Sequence, residues 1–140
     1  MAWTIASKIV RRVVTINENK SALDAAVLMT EEFVGSAVVT SAFGIAGIFT
    51  ERDLMMRVVG RKKDPEMISI KDVMTRDLIR VGPHDTVTKC LDLMKEHRCR
   101  HLLVFDRDEF VGIVSLRDMV TLMIEEKEDL IRQLEKYISS

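Results

Sequence analysis

Residues 47–53 read G-I-F-T-E-R-D, and residues 112–118 read G-I-V-S-L-R-D. The two copies begin 65 positions apart, at Gly47 and Gly112, and the same shift aligns residues 11–59 with the later chain without a gap. Self-similarity at one fixed spacing is typical of a duplicated supersecondary unit. The sequence therefore predicts two copies of one structural motif.

Each copy has the pattern of a strand, a helix, a hairpin of two strands and a second helix. β-branched residues predict the strands, and Ser21 and Thr50 precede the helices of the first copy as N-caps. The predicted elements of the first copy span residues 13–16, 21 to 33–35, 37–40, 45–49 and 50–59. In the second copy the strands fall at residues 78–81, 102–105 and 110–114, one helix is capped by Asp85 or Thr86, and the last helix begins at Ser115.

The composition excludes several classes of protein. A formal net charge of −1 implies no general attraction to nucleic acid or to an anionic membrane. No apolar run reaches the roughly 18–20 residues that span a bilayer, and the N-terminus has no signal segment. Cys90 and Cys99 form no C-x-x-C pair, and two thiols suit a reducing compartment. We expect a cytoplasmic protein without nucleic-acid or membrane partners.

The two copies are expected to form a single core, because one copy alone is too small to bury enough apolar surface. Two copies related by a pseudo-twofold axis would cover each other's sheet faces, and the clefts between them would be the place for a ligand. The predicted divisions are residues 1–65 for the first copy with a lead-in, 66–125 for the second copy, and 126–140 for an extension of the last helix.

The repeat, together with the Val73-Met74-Thr75 connector, resembles a tandem pair of CBS domains, or Bateman module, of the stand-alone type. The resemblance covers about residues 5–125. It implies an α+β fold of two CBS motifs, each β-α-β-β-α, with small mixed sheets packed on helices. It also implies a regulatory module that senses an adenosine nucleotide such as AMP, ADP or ATP. Further implications are a homodimer and a regulated protein partner that the sequence does not identify.

The most informative residues are the pairs Thr50-x-x-Asp53 and Ser115-x-x-Asp118. The structural interpretation of each pair is a helix capping box, worth about 1 kcal/mol. The functional interpretation uses the same geometry: the carboxylate accepts both ribose hydroxyls, while the capping hydroxyl and backbone N–H groups meet phosphate oxygens. The resemblance assigns the ribose contact to Asp53 and Asp118, and the two interpretations do not exclude each other.

Other candidate ligand-binding residues also recur in both copies. Arg52 and Arg117 are either solvated surface arginines or phosphate ligands. A strand glycine marks a close backbone approach, either in sheet packing or, by the resemblance, against an adenine. The resemblance also implies main-chain contacts to the base from the first strand of each copy. The first-strand residues are Thr15 and Ile16 in one copy and Ile79 and Arg80 in the other. The strand glycines and the residues after them are Gly47 and Ile48, and Gly112 and Ile113.

The copies differ in charge just before the hairpin. The second copy has Arg100 and His101 there, where the first copy has Gly35 and Ser36. The structural interpretation is a solvated basic loop, whereas the resemblance implies that basic residues at this place reach phosphates. We therefore expect two inequivalent sites, with the Arg100 and His101 site preferring more highly phosphorylated ligands.

No pattern in the sequence indicates catalysis or a metal site. A Walker loop, a G-x-S-x-G elbow and an H-E-x-x-H motif are all absent, and the histidines and cysteines lack metal-ligand spacing. We expect no catalytic residues, no metal and no catalytic cofactor. Two alternatives to a nucleotide sensor are an interaction or scaffold protein with the same fold and little ligand affinity, and a sensor of NAD or S-adenosylmethionine.

The last helix is predicted to extend from Leu116 to Ile138, beyond the end of the repeat. Leu130, Leu134 and Tyr137 or Ile138 form an apolar stripe among charged residues. This stripe either packs back on its own domain or stabilises a dimer or a contact with a partner.

Overall fold

The computed structural model describes residues 3–139 and contains two three-stranded sheets. The strands are β1 (Thr15–Asn17), β2 (Ser36–Ser41), β3 (Gly44–Thr50), β4 (Arg80–Val81), β5 (His101–Asp106) and β6 (Glu109–Ser115). In the first sheet β2 lies between β1, which runs parallel to it, and β3, which runs antiparallel. The second sheet has the same arrangement with β5 in the middle. The predicted α+β fold with two small mixed sheets is confirmed.

The helices follow the predicted order, with one irregularity. They are α1 (Ala22–Glu31), α2 (Glu51–Asp53), α3 (Val87–His97) and α4 (Leu116–Ser139). The short α2 continues as a π-helical turn, Leu54–Val58, and a 3-10 turn, Val59–Arg61. A π-helical turn adds one residue to the turn. In the second copy Leu122, the counterpart of Arg57, is buried in the core. A regular helix in the first copy would bury Arg57 at the same place. The extra residue of the π turn places Val58 in the core instead.

Side-chain caps begin the helices as the sequence predicts. The Ser21 hydroxyl accepts a hydrogen bond from the Asp24 backbone N–H at 3.0 Å. Of the two candidate caps for α3, the structure uses Thr86, whose hydroxyl accepts from the Lys89 N–H at 3.2 Å. Helix α1 ends at Glu31, slightly before the predicted region, because Phe33 has a left-handed backbone (φ 55°). Local capping chemistry therefore accounts for most helix bounds.

The chain packs as two compact units that do not follow the predicted division after residue 65. One unit is Arg12–Leu78, and the other joins the chain before Arg12 to the chain from Ile79 onward. The predicted boundaries follow the repeat in the sequence. The packing boundaries differ because one short segment precedes each copy in the chain and packs against the other copy. We call residues 68–75 and 3–10 the attachment segments of the first and second units.

The attachment segments bind their units through equivalent backbone hydrogen bonds. Ile70 N–H donates to the Lys20 carbonyl at 2.9 Å in the first unit, and Ile5 N–H donates to the Asp85 carbonyl at 3.0 Å in the second. Both isoleucine side chains are fully buried. Each unit thus takes a buried side chain from outside its own repeat, which explains why the packing boundary is shifted.

Each unit has its own hydrophobic core, so the prediction of a single core is wrong. The first core is built from residues of β1–β3, α1, the π turn and its attachment segment, including Ile16, Ala25, Val39, Phe49 and Val58. The second includes the corresponding Val81, Cys90, Val104 and Val114, with Leu122 in the place that Val58 fills in the first core. Within residues 3–139 the structure has no helix long and apolar enough to cross a membrane.

Candidate functional site

The Asp53 carboxylate is buried at the start of α2 and takes part in several interactions. Its Oδ2 accepts the Thr50 backbone N–H at 3.0 Å, and the Thr50 hydroxyl accepts the Asp53 N–H at 3.2 Å, so the predicted capping box is present. The Thr75 hydroxyl also lies 3.1 Å from Oδ1 and 3.3 Å from Oδ2. Arg57 Nε lies 3.8 Å from Oδ1. The carboxylate is therefore contacted from three sides by its own unit.

The Asp118 carboxylate at the start of α4 forms the same capping box but is more accessible. Its Oδ2 accepts the Ser115 backbone N–H at 3.0 Å and the Ser115 hydroxyl at 2.8 Å. The Ser115 hydroxyl in turn accepts the Asp118 N–H at 3.1 Å. Both bonds to this carboxylate involve Oδ2, and the Asp118 side chain is partly exposed, so an external donor can reach it.

The structure brings the predicted basic pair of the second copy to the same place. The Leu116 N–H donates to the Arg100 carbonyl at 2.8 Å, and His101 pairs with Ser115 across β5 and β6. Arg100 and Arg117 are exposed, and His101 is half-buried. The start of α4 therefore combines a capping hydroxyl, an accessible carboxylate and basic side chains.

The equivalent place in the first copy has a different charge. Gly35 stands where the second copy has Arg100, and its carbonyl accepts the Glu51 N–H at 2.9 Å. The Glu51 carboxylate lies over this glycine, since a Cβ built on Gly35 would come within 3.2 Å of Oε1. Arg52 is exposed, and its Nε lies 3.3 Å from the Met56 sulfur. The start of α2 thus has one more acidic group and fewer basic groups than the start of α4.

The strand glycines permit close contact with the attachment segments. A Cβ on Gly47 would lie 2.6 Å from the Thr75 carbonyl oxygen, and one on Gly112 would overlap the Val10 carbonyl oxygen. The next residue in each strand exchanges two backbone hydrogen bonds with the segment, at 2.9 Å for Ile48 and Thr75. Ile113 and Val10 do the same at 2.8 and 3.1 Å. The close backbone approach that the strand glycines indicate is therefore made by the attachment segments.

Strands β1 and β4 are the outer strands of their sheets, and within residues 3–139 no strand pairs with their open edges. The Val14 carbonyl accepts from Val38, and the Ile79 carbonyl accepts from Leu103, so these two residues face the neighbouring strand. Because alternate residues of a strand point their backbone groups to opposite edges, Thr15 and Arg80 face the open edge. Ile16 follows Thr15 and therefore faces β2. Of the four predicted residues, Thr15 and Arg80 are therefore the two whose backbone groups point away from the sheet.

Comparison with known proteins identifies the repeat. The family model of the CBS domain matches residues 6–60 and 70–125. The chain belongs to the CBS-domain family. Together the two matched regions form a tandem pair of CBS domains.

Relatives of known sequence or structure agree with this assignment. The mitochondrial CBS domain-containing protein CBSX3 of Arabidopsis thaliana is 32% identical over 120 residues, which cover 82% of this chain and 58% of that protein. YhcV of Bacillus subtilis is 30% identical over 108 residues, covering 77% of this chain and 76% of YhcV. A protein with CBS domains from Burkholderia ambifaria superposes with a TM-score of 0.78 at 35% identity, covering 82% of this chain and 85% of that chain. The chain thus spans little more than half of the Arabidopsis relative.

Two residues that contact Asp53 were not predicted from the sequence. In the sequence Thr75 belongs to the connector between the CBS motifs, and no motif includes Arg57. Arg57 also donates to the carbonyls of Val73 and Met74, at 3.2 and 2.9 Å. It lines a pocket of about 300 Å³ with Arg61, Lys63, Asp72 and Val73. Both residues differ between the two copies at equivalent positions, and this difference is visible in the sequence. The shift of 65 positions aligns Thr75 with Val10 and Arg57 with Leu122.

The cysteines belong to the packing of the second CBS motif. Cys90 is fully buried in its core, and this burial, with the nearby Asp85 carboxylate, raises the pKa of its thiol to about 11. Burial also raises the pKa of the Cys99 thiol. Both thiols are therefore protonated near neutral pH and poor nucleophiles. Within residues 3–139 no group of three or more His, Cys, Asp or Glu side chains is arranged to hold a metal.

Proposed function

We propose that this CBS pair is a sensor that binds an adenosine nucleotide through the cluster at the start of α4. The observation that carries the proposal is the convergence, within one unit, of the accessible Asp118 carboxylate with Ser115, Arg100 and His101. A nucleotide presents a ribose diol, which donates hydrogen bonds, next to phosphates, which accept them. The cluster offers the complementary groups side by side.

Each part of the ligand has a chemically matched partner in this proposal. The ribose hydroxyls donate to Asp118. The phosphates bind Arg100, Arg117 and His101, with support from the backbone N–H groups and positive dipole end of α4. The base hydrogen-bonds to the backbone at the open edge of β4, near Arg80. Since positive charge accumulates at this site, affinity should rise from AMP to ADP to ATP.

The proposed output is regulatory and not catalytic. Nucleotide binding would shift the population between conformations of the CBS pair and so change the surface seen by a partner protein. The matched portions of YhcV and of the Burkholderia structure are CBS domains that make up most of those proteins, which supports a sensing role without an attached enzyme.

The protein is further proposed to act as a homodimer through exposed apolar side chains on its helices. Val120 and Ile124 on α4 are 40% and 50% exposed, and their counterparts Met55 and Val59 are both 60% exposed. Beyond the CBS motif, α4 continues with exposed Ile131, Leu134 and Ile138. Apolar side chains at this helical spacing favour association with another helix. The same face supports the alternative function of an interaction module with little ligand affinity.

Thermal unfolding with AMP, ADP, ATP, NAD and S-adenosylmethionine tests the proposal. A ligand that binds only the folded state raises the midpoint, by mass action, as its concentration exceeds Kd. We expect adenine nucleotides to raise the midpoint of the wild type, and Asp118→Asn to abolish this rise. Arg100→Ala/His101→Ala should weaken ATP more than AMP. If no adenosine compound shifts the wild-type midpoint, the interaction module becomes the better assignment.

A further inference from the structure

We propose that the Thr75 hydroxyl closes the Asp53 carboxylate to external ligands, so that each chain binds one nucleotide, at Asp118. The inference rests on the proposed function, and it adds the residue that decides which of the two CBS motifs is occupied. It makes Thr75, in the attachment segment of the first unit, the determinant of stoichiometry.

The Thr75 hydroxyl lies where a ribose would bind Asp53. Its oxygen lies 3.1 and 3.3 Å from the two oxygens of the Asp53 carboxylate, so it sits at the fork between them. A ribose diol needs the same fork, because its two hydroxyls donate to the two oxygens of one carboxylate. Thr75 and a ribose therefore compete for one place.

The attachment segment holds Thr75 firmly in that place. The Thr75 backbone exchanges two hydrogen bonds with Ile48, both at 2.9 Å. Arg57 binds the carbonyls of the two preceding residues and also approaches Asp53 Oδ1. As a result, Asp53 is only 7% exposed. A ligand that donates to Asp53 would have to displace the Thr75 hydroxyl, which the backbone holds in place. The displaced hydroxyl would then lose its hydrogen bond to the carboxylate.

The second unit lacks this closing group. Val10 occupies the position equivalent to Thr75 and forms the same backbone pair with Ile113. Its side chain has a methyl group where threonine has a hydroxyl, so it cannot donate to Asp118. The counterpart of Arg57 is Leu122, a buried apolar residue. Asp118 consequently remains partly exposed, whereas Asp53 is buried.

The charge around the two carboxylates favours the same outcome. In the first unit Glu51 lies over Gly35 beside the start of α2, and its negative charge repels phosphate. In the second unit the equivalent residues are Leu116 and Arg100. The first motif therefore has a buried ribose acceptor, one more acidic group and fewer basic groups for phosphates than the second motif.

A reciprocal exchange of the two residues tests the inference. Thr75→Val gives the first motif the valine of the second, and Val10→Thr gives the second motif the threonine of the first. Both substitutions retain the β-branched shape, and Val10 is half-exposed, so the second is well tolerated sterically. Thr75→Ser is the matched control, since it keeps the hydroxyl. Isothermal titration with ATP and separately with AMP measures the number of nucleotides per chain and their Kd.

The wild type and Thr75→Ser should bind one nucleotide per chain. Val10→Thr should weaken that binding about tenfold, the order expected when a charged acceptor becomes engaged internally. Thr75→Val should gain a second, weaker site, which is best seen with AMP because Glu51 remains. Two sites per wild-type chain, or binding unchanged by Val10→Thr, would overturn the inference while leaving the proposed function intact. Absence of all wild-type binding would instead contradict the proposed function.

Discussion

The starts of α2 and α4 have the same capping box but different surroundings. Thr50 and Asp53 in one motif, and Ser115 and Asp118 in the other, exchange equivalent hydrogen bonds of 3.0–3.2 Å. The two motifs differ at the equivalent residue of their attachment segments. It is Thr75, with a hydroxyl, in the first unit and Val10, with a methyl group in its place, in the second. A duplicated motif can therefore keep its local structure while one carboxylate is engaged internally and the other remains accessible. This comparison suggests the following tests.

The largest effect is expected from the isoleucine that each attachment segment buries. Ile5→Ala should lower the free energy of unfolding by about 3 kcal/mol, the usual cost of truncating a fully buried isoleucine. Its counterpart Ile70→Ala should cost a similar amount. Hydrogen exchange locates the damage: Ile5→Ala should reduce protection in residues 79–125, and Ile70→Ala in residues 12–61. Reduced protection in the opposite motif would contradict the assignment of the attachment segments.

Alanine at the strand glycines should have the next largest effect. Gly112→Ala places a methyl group onto the Val10 carbonyl oxygen and against the Ile9 side chain. We expect a loss of about 2–3 kcal/mol in urea unfolding, as for an overpacked interior. Gly47→Ala should cost less, because one of its close neighbours is the flexible Met74 side chain. Gly82→Ala is the control, since its new methyl group would meet atoms only at 3.7 Å or more. Equal stability of Gly112→Ala and Gly82→Ala would rule out the close approach.

A smaller effect is expected from Cys90, whose counterpart in the first motif is Ala25. Cys90→Ala should cost about 1 kcal/mol at pH 7, because one buried sulfur atom is lost. The folded-state pKa of about 11 lies above the unfolded value of 9.0, so the folded state keeps its proton longer as pH rises. The stability contributed by the neutral thiol is thus complete below pH 9 and is lost progressively up to about pH 11. The stability difference between wild type and Cys90→Ala should shrink over that interval, and a constant difference would be inconsistent with the raised pKa.

The smallest effect on unfolding is expected in the extension of α4, which has no counterpart in the first motif. Ile131→Glu with Leu134→Glu replaces two side chains that are 54% and 52% exposed. The free energy of unfolding of the monomer should change by about 0.5 kcal/mol or less. Sedimentation should show a shift from dimer to monomer, because the charges disrupt the apolar face proposed for the dimer, and an unchanged dimer would contradict that interface. Gln133→Glu, on the same helix, is the charge control and should leave the association state unchanged.

Local patterns in the sequence were sufficient to predict the elements of each motif. Ser21, Thr50, Thr86 and Ser115 cap their helices through neighbours three positions away, and hydrogen bonds of this short range are encoded directly in the order of residues. The π turn after Asp53 could not be predicted in this way. A regular helix would bury Arg57 in the core, and burying the charged guanidinium among apolar side chains is unfavourable.

The sequence by itself determined the duplication, the α+β element order and the candidate carboxylates, because each depends on residues close together in the chain or on one fixed shift. Only the tertiary structure decided which segment attaches to which motif. Thr75 reaches Asp53 across 22 positions, and Val10 pairs with Ile113 from the far end of the chain. The accessibility of a carboxylate depends on such neighbours in space. In two nearly identical sequence motifs, the Asp53 carboxylate is therefore hydrogen-bonded within its own unit, whereas the Asp118 carboxylate is accessible.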